Sequence, residues 1–414
     1  MNLRRSLMKR LIRLSAGTSG MTYGAFRGLE ALGYDVVDVA PYDGSATAEL
    51  APITEASISE VSSPLQLGDP PEIYRKTVPP IHPLIFADVT VRSDSSVLCQ
   101  TRQGLVPRHT VQHRHRISWE NGRSCAFDAG GRLVIEKGPE KEIAKGICGF
   151  GEASYYWYHW LIEILPMIML AQDLGSAYQD YPLLVPEEVL ANRTFRETLA
   201  LFQGTREIIP LKSKDQYRVG ELVFIPPPVY GPFNMHRGYW PELSDYSQNI
   251  NVLKRFRAYI LDLLDIMPEP DTPRRIFLAR AATARQYNQD ELIAIAQDMD
   301  FESIRMETLS FREQVRILHG AELVVGPSGA AWSGALFMRP EAQGLAWVLK
   351  EYTGGSFFSS LSCVSGSQLT YLFVQAEKNI SGTHDAITTP YSVPADVFTD
   401  RLQALIARSP VSIG

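Results

Sequence analysis

The chain has 414 residues, 45% of them hydrophobic, which is too many for one ordinary core and suits about two. A net charge of −6 argues against a nucleic-acid binder, which needs a basic face. Four cysteines, Cys99, Cys125, Cys148 and Cys363, include no CxxC pair, so reduced thiols in a cytoplasmic protein fit better than disulfides or a zinc cluster.

Residues 1–16 carry Arg4, Arg5, Lys9, Arg10 and Arg13 with no acid, and Leu3, Leu7, Leu11 and Leu14 fall near helical spacing. This short cationic helix suits peripheral contact with a membrane surface, a targeting peptide or a frayed end. It opens a loosely organised segment, 1–70, with a helix over about Tyr23–Leu32 and a strand at Asp35–Val39. The most apolar run, Trp160–Ala171, contains Glu163 and Pro166 and is far short of the ~20 residues of a membrane span.

Residues 71–248 form a first domain. Short β-like stretches occupy 84–136, and a helix runs from Tyr158 to about Asp173. Pro166 cannot donate a backbone hydrogen bond, so that helix kinks or restarts there. Alternation follows: strand Pro182–Val185, helix Asn192–Phe202, strands Glu207–Leu211 and Leu222–Ile225. A connecting helix, Asn249–Ile266, and a Pro-rich linker fill 249–273.

Residues 274–390 read as a regular α/β domain. Strands are expected at Arg275–Ala279, Phe301–Arg305, Glu322–Val325, Ala346–Leu349 and Thr370–Val374. Helices are expected at Asp290–Asp298, at Phe311–His319 and from Ala330. Such alternation predicts a parallel sheet with helices on both faces. A last amphipathic helix, Ala395–Ala407, lies in the closing segment 391–414. Two Rossmann-like domains predict a ligand in the cleft between them, with the final helix returning to the first domain.

Three patterns carry possible chemistry. The strand end Gly326-Pro327-Ser328-Gly329-Ala330 offers backbone amides at a helix start, suited to phosphate, or is an ordinary strand–turn–helix joint. Arg280 and Arg285 follow a strand end, where a guanidinium fork fits phosphate oxygens; a solvated surface is the alternative. In Tyr155-Tyr156-Trp157-Tyr158-His159-Trp160-Leu161-Ile162-Glu163, His159 and Glu163 share a helical face. They suit proton removal from a hydroxyl, with aromatic rings for stacking on sugars; a core helix with a satisfied histidine is the plainer reading. Asp298-Met299-Asp300 spells DxD, but it closes a helix instead of following an apolar strand. His109, His113 and His115 stand among Arg108, Arg114 and Arg116, which suits a solvated or basic acceptor-binding face over a metal site.

Tyr158-His159-Trp160-Leu161 with Glu163 and Pro166 resembles the signature of glycosyltransferase family 61. So do Ile276-Phe277-Leu278-Ala279-Arg280, then Arg285, Asn288 and Glu291, and Leu309-Ser310-Phe311-Arg312-Glu313-Gln314-Val315. Val324–Ala331 resembles its glycine turn and Tyr391–Leu402 its ending, so the likeness spans about 85–405. The resemblance implies a GT-B fold, inversion, a nucleotide-sugar donor, no required metal or other cofactor, and in bacterial relatives a role in capsular or other surface polysaccharides. Carried onto this chain, it puts the donor in 274–390, on Arg280 and Arg285 with the amides around Ser328, Gly329 and Ala330. Glu313 or Gln314 reaches the nucleoside. The glycan or lipid-linked acceptor meets Tyr158 and Trp160 in 71–248, and Glu163 or His159 takes its proton.

The family usually has His at position 328 and Asn at 334, where this chain has Ser328 and Gly334. That departure motivates a second reading, a non-catalytic subunit of a polysaccharide assembly complex that binds nucleotide sugar or carbohydrate. An epimerase of the same two-domain fold is a third.

Overall fold

In the computed structural model, the residues described are 33–40, 44–70, 72–93, 95, 97–108, 125–128, 132–213, 215–231, 239, 241–267, 272–281, 286–350, 356–376, 379–380, 386 and 389–408. The basic segment 1–16, the helix expected at Tyr23–Leu32, the His109–His115 cluster and Arg285 lie outside them. Among the described residues no helix is long and apolar enough to cross a membrane. They fall into two units: one drawn from 1–55 and 80–227, the other from 56–79, 228–232 and 237–414.

The first unit is built on a mixed sheet. Four strands run parallel in the order Ile208–Leu211, Leu183–Pro186, Glu140–Cys148, Gln216–Phe224. Leu84–Val91, Val97–Thr101 and Gly104–Pro107 extend it antiparallel, and Ala48–Glu49 pairs with Leu84–Val91. The expected Rossmann-like character therefore holds for only part of this sheet. The strands from 84 to 107 are joined by short connections, and without a crossover helix adjacent strands must run antiparallel. Tyr34–Asp38 forms a separate antiparallel sheet with Arg132–Glu136 and Cys125–Asp128. Leu105, Leu133 and Ile135 are fully or almost fully buried in a small core that includes both sheets.

The helix expected over Tyr158–Asp173 is four consecutive pieces. Trp157–His159 is α, Trp160–Ile164 is a π-turn, Leu165–Leu170 is α and Ala171–Asp173 is 3₁₀. Pro166 explains the sequence of turns. Its ring would clash with the carbonyl four residues back in an α-helix, and a wider turn moves that carbonyl aside. Leu165 N–H accordingly bonds the carbonyl of Trp160, five residues back.

The second unit holds a six-stranded parallel sheet in the order Glu302–Ile304, Arg275–Leu278, Leu323–Pro327, Gln343–Leu349, Gln368–Val374, Leu65–Gln66. Each long strand is a continuous apolar run because helices cover both faces. The two-residue edge strand comes from the segment read as loosely organised. Helix Ile250–Leu263, capped by the Asn249 side chain, belongs to this unit.

The closing helix, Ala395–Arg408, belongs to the second unit. Its stripe Phe398, Leu402 and Leu405 is fully buried with Leu292 and Ala296 of helix Gln289–Gln297 and with Phe277 and Trp347 of the sheet. Each such side chain contributes about 1.5–3 kcal/mol on burial. Asn288 fixes the approach: its side chain exchanges two hydrogen bonds of 2.9 Å with the main chain of Val393.

Candidate functional site

Strand order in the second unit selects one position. Arg275–Leu278 is followed in the chain by its neighbour on one side, Glu302–Ile304, and then by its neighbour on the other, Leu323–Pro327. The crevice beyond the carboxyl ends of the first and third of these strands is the switch point where open α/β sheets bind ligands. Arg280 follows the first, and Ser328 and Gly329 follow the third.

These residues touch. The Arg280 guanidinium donates to the carbonyl oxygen of Ser328. A Cβ on Gly329 would lie 2.6 Å from Arg280 Nη2, so a larger residue there would push the guanidinium out of its present place. The Gly329 φ of 173° is extended and makes no demand for glycine. The Arg280 main chain is clasped by Gln289, whose side chain accepts from its N–H at 2.7 Å and donates to its carbonyl at 3.1 Å. Tyr287 donates to the same Gln289 oxygen at 2.9 Å and stacks on Tyr391, with ring centroids 5.8 Å apart. Burial draws the Arg280 pKa down, and Tyr391 and Tyr287 act the other way.

The amide cradle expected here is smaller than the sequence suggests. Ser328 is buried and its N–H is spent on the carbonyl of Trp347 at 2.8 Å. That leaves Gly329 and Ala330 as the amides that open the next helix. The helix, Ala330–Phe337, is 3₁₀ throughout, not α. Arg257 donates to the carbonyls of Leu336 and Met338 at its far end. Gly334 lies against the Leu318 side chain, which fills the space a larger residue would need.

Glu313 and Gln314 are occupied within the fold. Glu313 closes a capping box, accepting from Ser310 N–H at 2.8 Å and from its hydroxyl at 2.6 Å. Gln314 is buried and donates to the carbonyls of Met306 and Leu309. Asp298 ends its helix, and Asp300, at a φ of 63°, lies 3.6 Å from Arg275. Among the described residues no group of three metal-binding side chains comes together.

In the first unit, His159 Nδ1 lies 3.0 Å from Glu163 Oε1, across the junction of the α and π turns. Both side chains are mostly buried, 12% and 16% exposed. Burial lowers the His159 pKa, but the charge and hydrogen bond of Glu163 and the charge of Glu152 together carry it above its ordinary value. Tyr158 meets the His159 ring edge-on at 5.4 Å. Trp160 is fully buried; its Nε1 donates to Thr198 at 2.9 Å and its ring stacks on Phe195. Its role is to anchor the distorted helix, which leaves no open ring face for stacking on an acceptor sugar. Glu152, Tyr287, Gln289 and Tyr391 escaped the sequence reading. Only Tyr391 stood in a stretch already singled out.

The geometry thus places a guanidinium at the switch point of the second unit's sheet and a close histidine–carboxylate pair in a bent helix of the first. Residues 157–345 match the family model described as Glycosyltransferase 61, and these bounds take in both groups. Over that stretch the chain is similar to glycosyltransferase family 61, in agreement with the motifs quoted above. Two curated relatives carry the same description, EGF domain-specific O-linked N-acetylglucosamine transferase. The one from Drosophila melanogaster is 25% identical over 201 residues, 45% of this chain and 38% of the relative. The one from Mus musculus is 30% identical over 145 residues, 32% of this chain and 27% of the relative. The chain therefore spans well under half the length of these relatives.

Proposed function

We propose that the protein is an inverting, metal-independent glycosyltransferase of the GT-B class that moves a sugar from a nucleotide-sugar donor to a hydroxyl acceptor. The observation that carries this reading is the meeting of Arg280 with Ser328 and Gly329 at the switch point of a parallel sheet, inside the family 61 stretch. Negative charge grows on the donor diphosphate as the sugar leaves. A fixed guanidinium and the amides of Gly329 and Ala330 there stabilise the transition state more than the ground state. Arg285 joins them in this proposal. On the acceptor side, Glu163 takes the hydroxyl proton with His159 as its partner, and Tyr158 borders the pair.

The acceptor in this reading is a glycan or lipid-linked glycan of a surface polysaccharide, handled in the cytoplasm or at a membrane's inner face. The relatives' description adds N-acetylglucosamine donors and protein hydroxyls to what should be tested. The test is turnover of a panel of sugar nucleotides, N-acetylglucosamine donors included, with and without EDTA. Sugar transfer or slow donor hydrolysis supports the enzyme. Tight binding without turnover favours the non-catalytic subunit, a reading motivated by Ser328 and Gly334, and an isomerised donor favours an epimerase.

A further inference from the structure

The first unit has a switch point of its own. Glu140–Cys148 is flanked by Leu183–Pro186, the next parallel strand in the chain, on one side and by Gln216–Phe224 on the other. Ile147 and Val223 are paired, so the carboxyl ends at Cys148 and Phe224 lie side by side. The guanidinium of Arg108 occupies that place. It lies 5.3 Å from the Phe150 ring and 5.9 Å from the Phe224 ring, and its Nη2 donates to Cys148 Sγ at 3.7 Å.

Arg108 is only 5% exposed, yet it takes part in no ion pair among the described residues. Its Nε is buried without a hydrogen-bond partner, and a thiol is a weak acceptor. Two aromatic faces repay part of the cost of burying a cation, but not its hydrogen bonds. The backbone makes room for this charge. A Cβ on Gly151 would lie 3.1 Å from Arg108 Nη1, 3.2 Å from its Cζ and 3.0 Å from Ile164 Cδ1. Gly151 adjoins Glu152, and Ile164 adjoins Glu163, so the guanidinium sits one residue along the chain from both acids that raise the His159 pKa.

We propose that Arg108 is the centre of an oxyanion subsite that receives a phosphate or carboxylate group of the acceptor-side ligand. An oxyanion matches what the site lacks: a charge to neutralise the guanidinium and acceptors for its unused N–H groups. The assignment to the acceptor rests on the reading of His159 and Glu163 as the acceptor-side pair. A phosphate would come from a lipid-linked glycan and a carboxylate from a uronic acid.

The test is isothermal titration of the full chain at low salt with methyl phosphate, methyl glucuronide and, as the uncharged control, methyl glucoside. Wild type should bind at least one of the two anions and not the control; which anion binds distinguishes the sources. Arg108→Met, of similar volume, should weaken that binding about ten- to a hundredfold, the loss of a charged hydrogen bond, while Arg108→Lys keeps part of it. Arg108→Met should also melt no lower than wild type, because it removes a buried charge that no carboxylate among the described residues neutralises. Binding of neither anion, equal binding by Arg108→Met, or a melting point several degrees lower in that variant would each overturn the subsite, the last by making the arginine structural. None of these readouts needs a sugar donor. Anion binding without transfer would refute the transferase and leave the subsite standing, and transfer without anion binding would do the reverse.

Discussion

The two candidate groups are built in opposite ways. Around Arg280 the working parts are largely main chain: a carbonyl, two helix-opening amides and a glycine that lets the guanidinium approach. The groups that hold Arg280, the Gln289 side chain and the stacked Tyr287 and Tyr391, carry no charge at neutral pH. Around His159 the working parts are side chains, a histidine whose pKa its acidic neighbours raise and a carboxylate 3.0 Å away, carried on a helix whose hydrogen bonding changes register midway. The contrast separates two tasks. Fixed charge for a leaving diphosphate calls for rigidity, and proton transfer calls for a group whose pKa answers to its neighbours.

The largest effect should come from the titrating side. Glu163→Gln keeps the shape of the carboxylate and removes its basicity, so turnover should fall about 10²–10⁴-fold. Donor affinity, measured separately by calorimetry, should hold. An equal loss in both quantities would merge the two groups into one and break the comparison.

Next in size is the fixed-charge side. Arg280→Ala removes a charged donor worth about 1.5–3 kcal/mol, hence about ten- to a hundredfold in donor binding or turnover. Arg280→Lys should recover only part, since a point charge cannot make the forked contact. Gly329→Val should match Arg280→Ala, because its Cβ would stand 2.6 Å from Arg280 Nη2 and displace it. EDTA should leave wild-type activity intact. Loss of activity in EDTA, restored by manganese, would move the leaving-group charge from Arg280 to a metal.

A pH profile sharpens the comparison further. His159 has a pKa raised above 6.5 in the folded chain. A group so raised contributes stability that is fully present below its unfolded value and is lost as pH rises through the folded one. Activity should run the other way, rising with pH through the raised pKa as the pair loses its extra proton. Glu152→Gln removes one of the causes of the raised value, so the acid limb of kcat/KM should move to lower pH. An unmoved limb would assign it to another group. The Arg280 variants should keep the wild-type limb.

Much of this was legible in the sequence, unevenly. The four buried strands of the second unit, Arg275–Leu278, Leu323–Pro327, Gln343–Leu349 and Gln368–Val374, fall within a few residues of their expected positions, because a strand buried on both faces writes an unbroken apolar run. Pro166 announced a break, but periodicity cannot say that the break is a π-turn. The stripe Phe398, Leu402 and Leu405 announced a buried face without naming what covers it. Leu65–Gln66 is too short to carry any period, and its partner strand lies some three hundred positions away. At the site, Arg280 and the Ser328–Gly329 turn were legible because strand ends are. Trp160 was not, since an aromatic in a helix looks the same whether it is anchor or platform. Ser310-x-x-Glu313 was a readable capping box, a stronger signal for Glu313 than a nucleoside contact.

The smallest expected effect is also the sharpest probe of a site built from main chain. Ser328 takes part through its N–H, which bonds Trp347, and its carbonyl, which accepts from Arg280. Both survive Ser328→Ala. The side chain is buried, and replacing a hydroxyl that has no essential partner by a methyl group is close to neutral. Turnover and donor affinity should therefore change less than about threefold, which is below about 0.7 kcal/mol. Gly329→Val, one residue on, should lose at least ten times more. A tenfold or larger loss in Ser328→Ala would mean that the hydroxyl itself meets the donor, so that position 328 works through its side chain, as the family's usual histidine there would. Near-equal losses in Ser328→Ala and Gly329→Val would remove the distinction between the main-chain site and the titrating one.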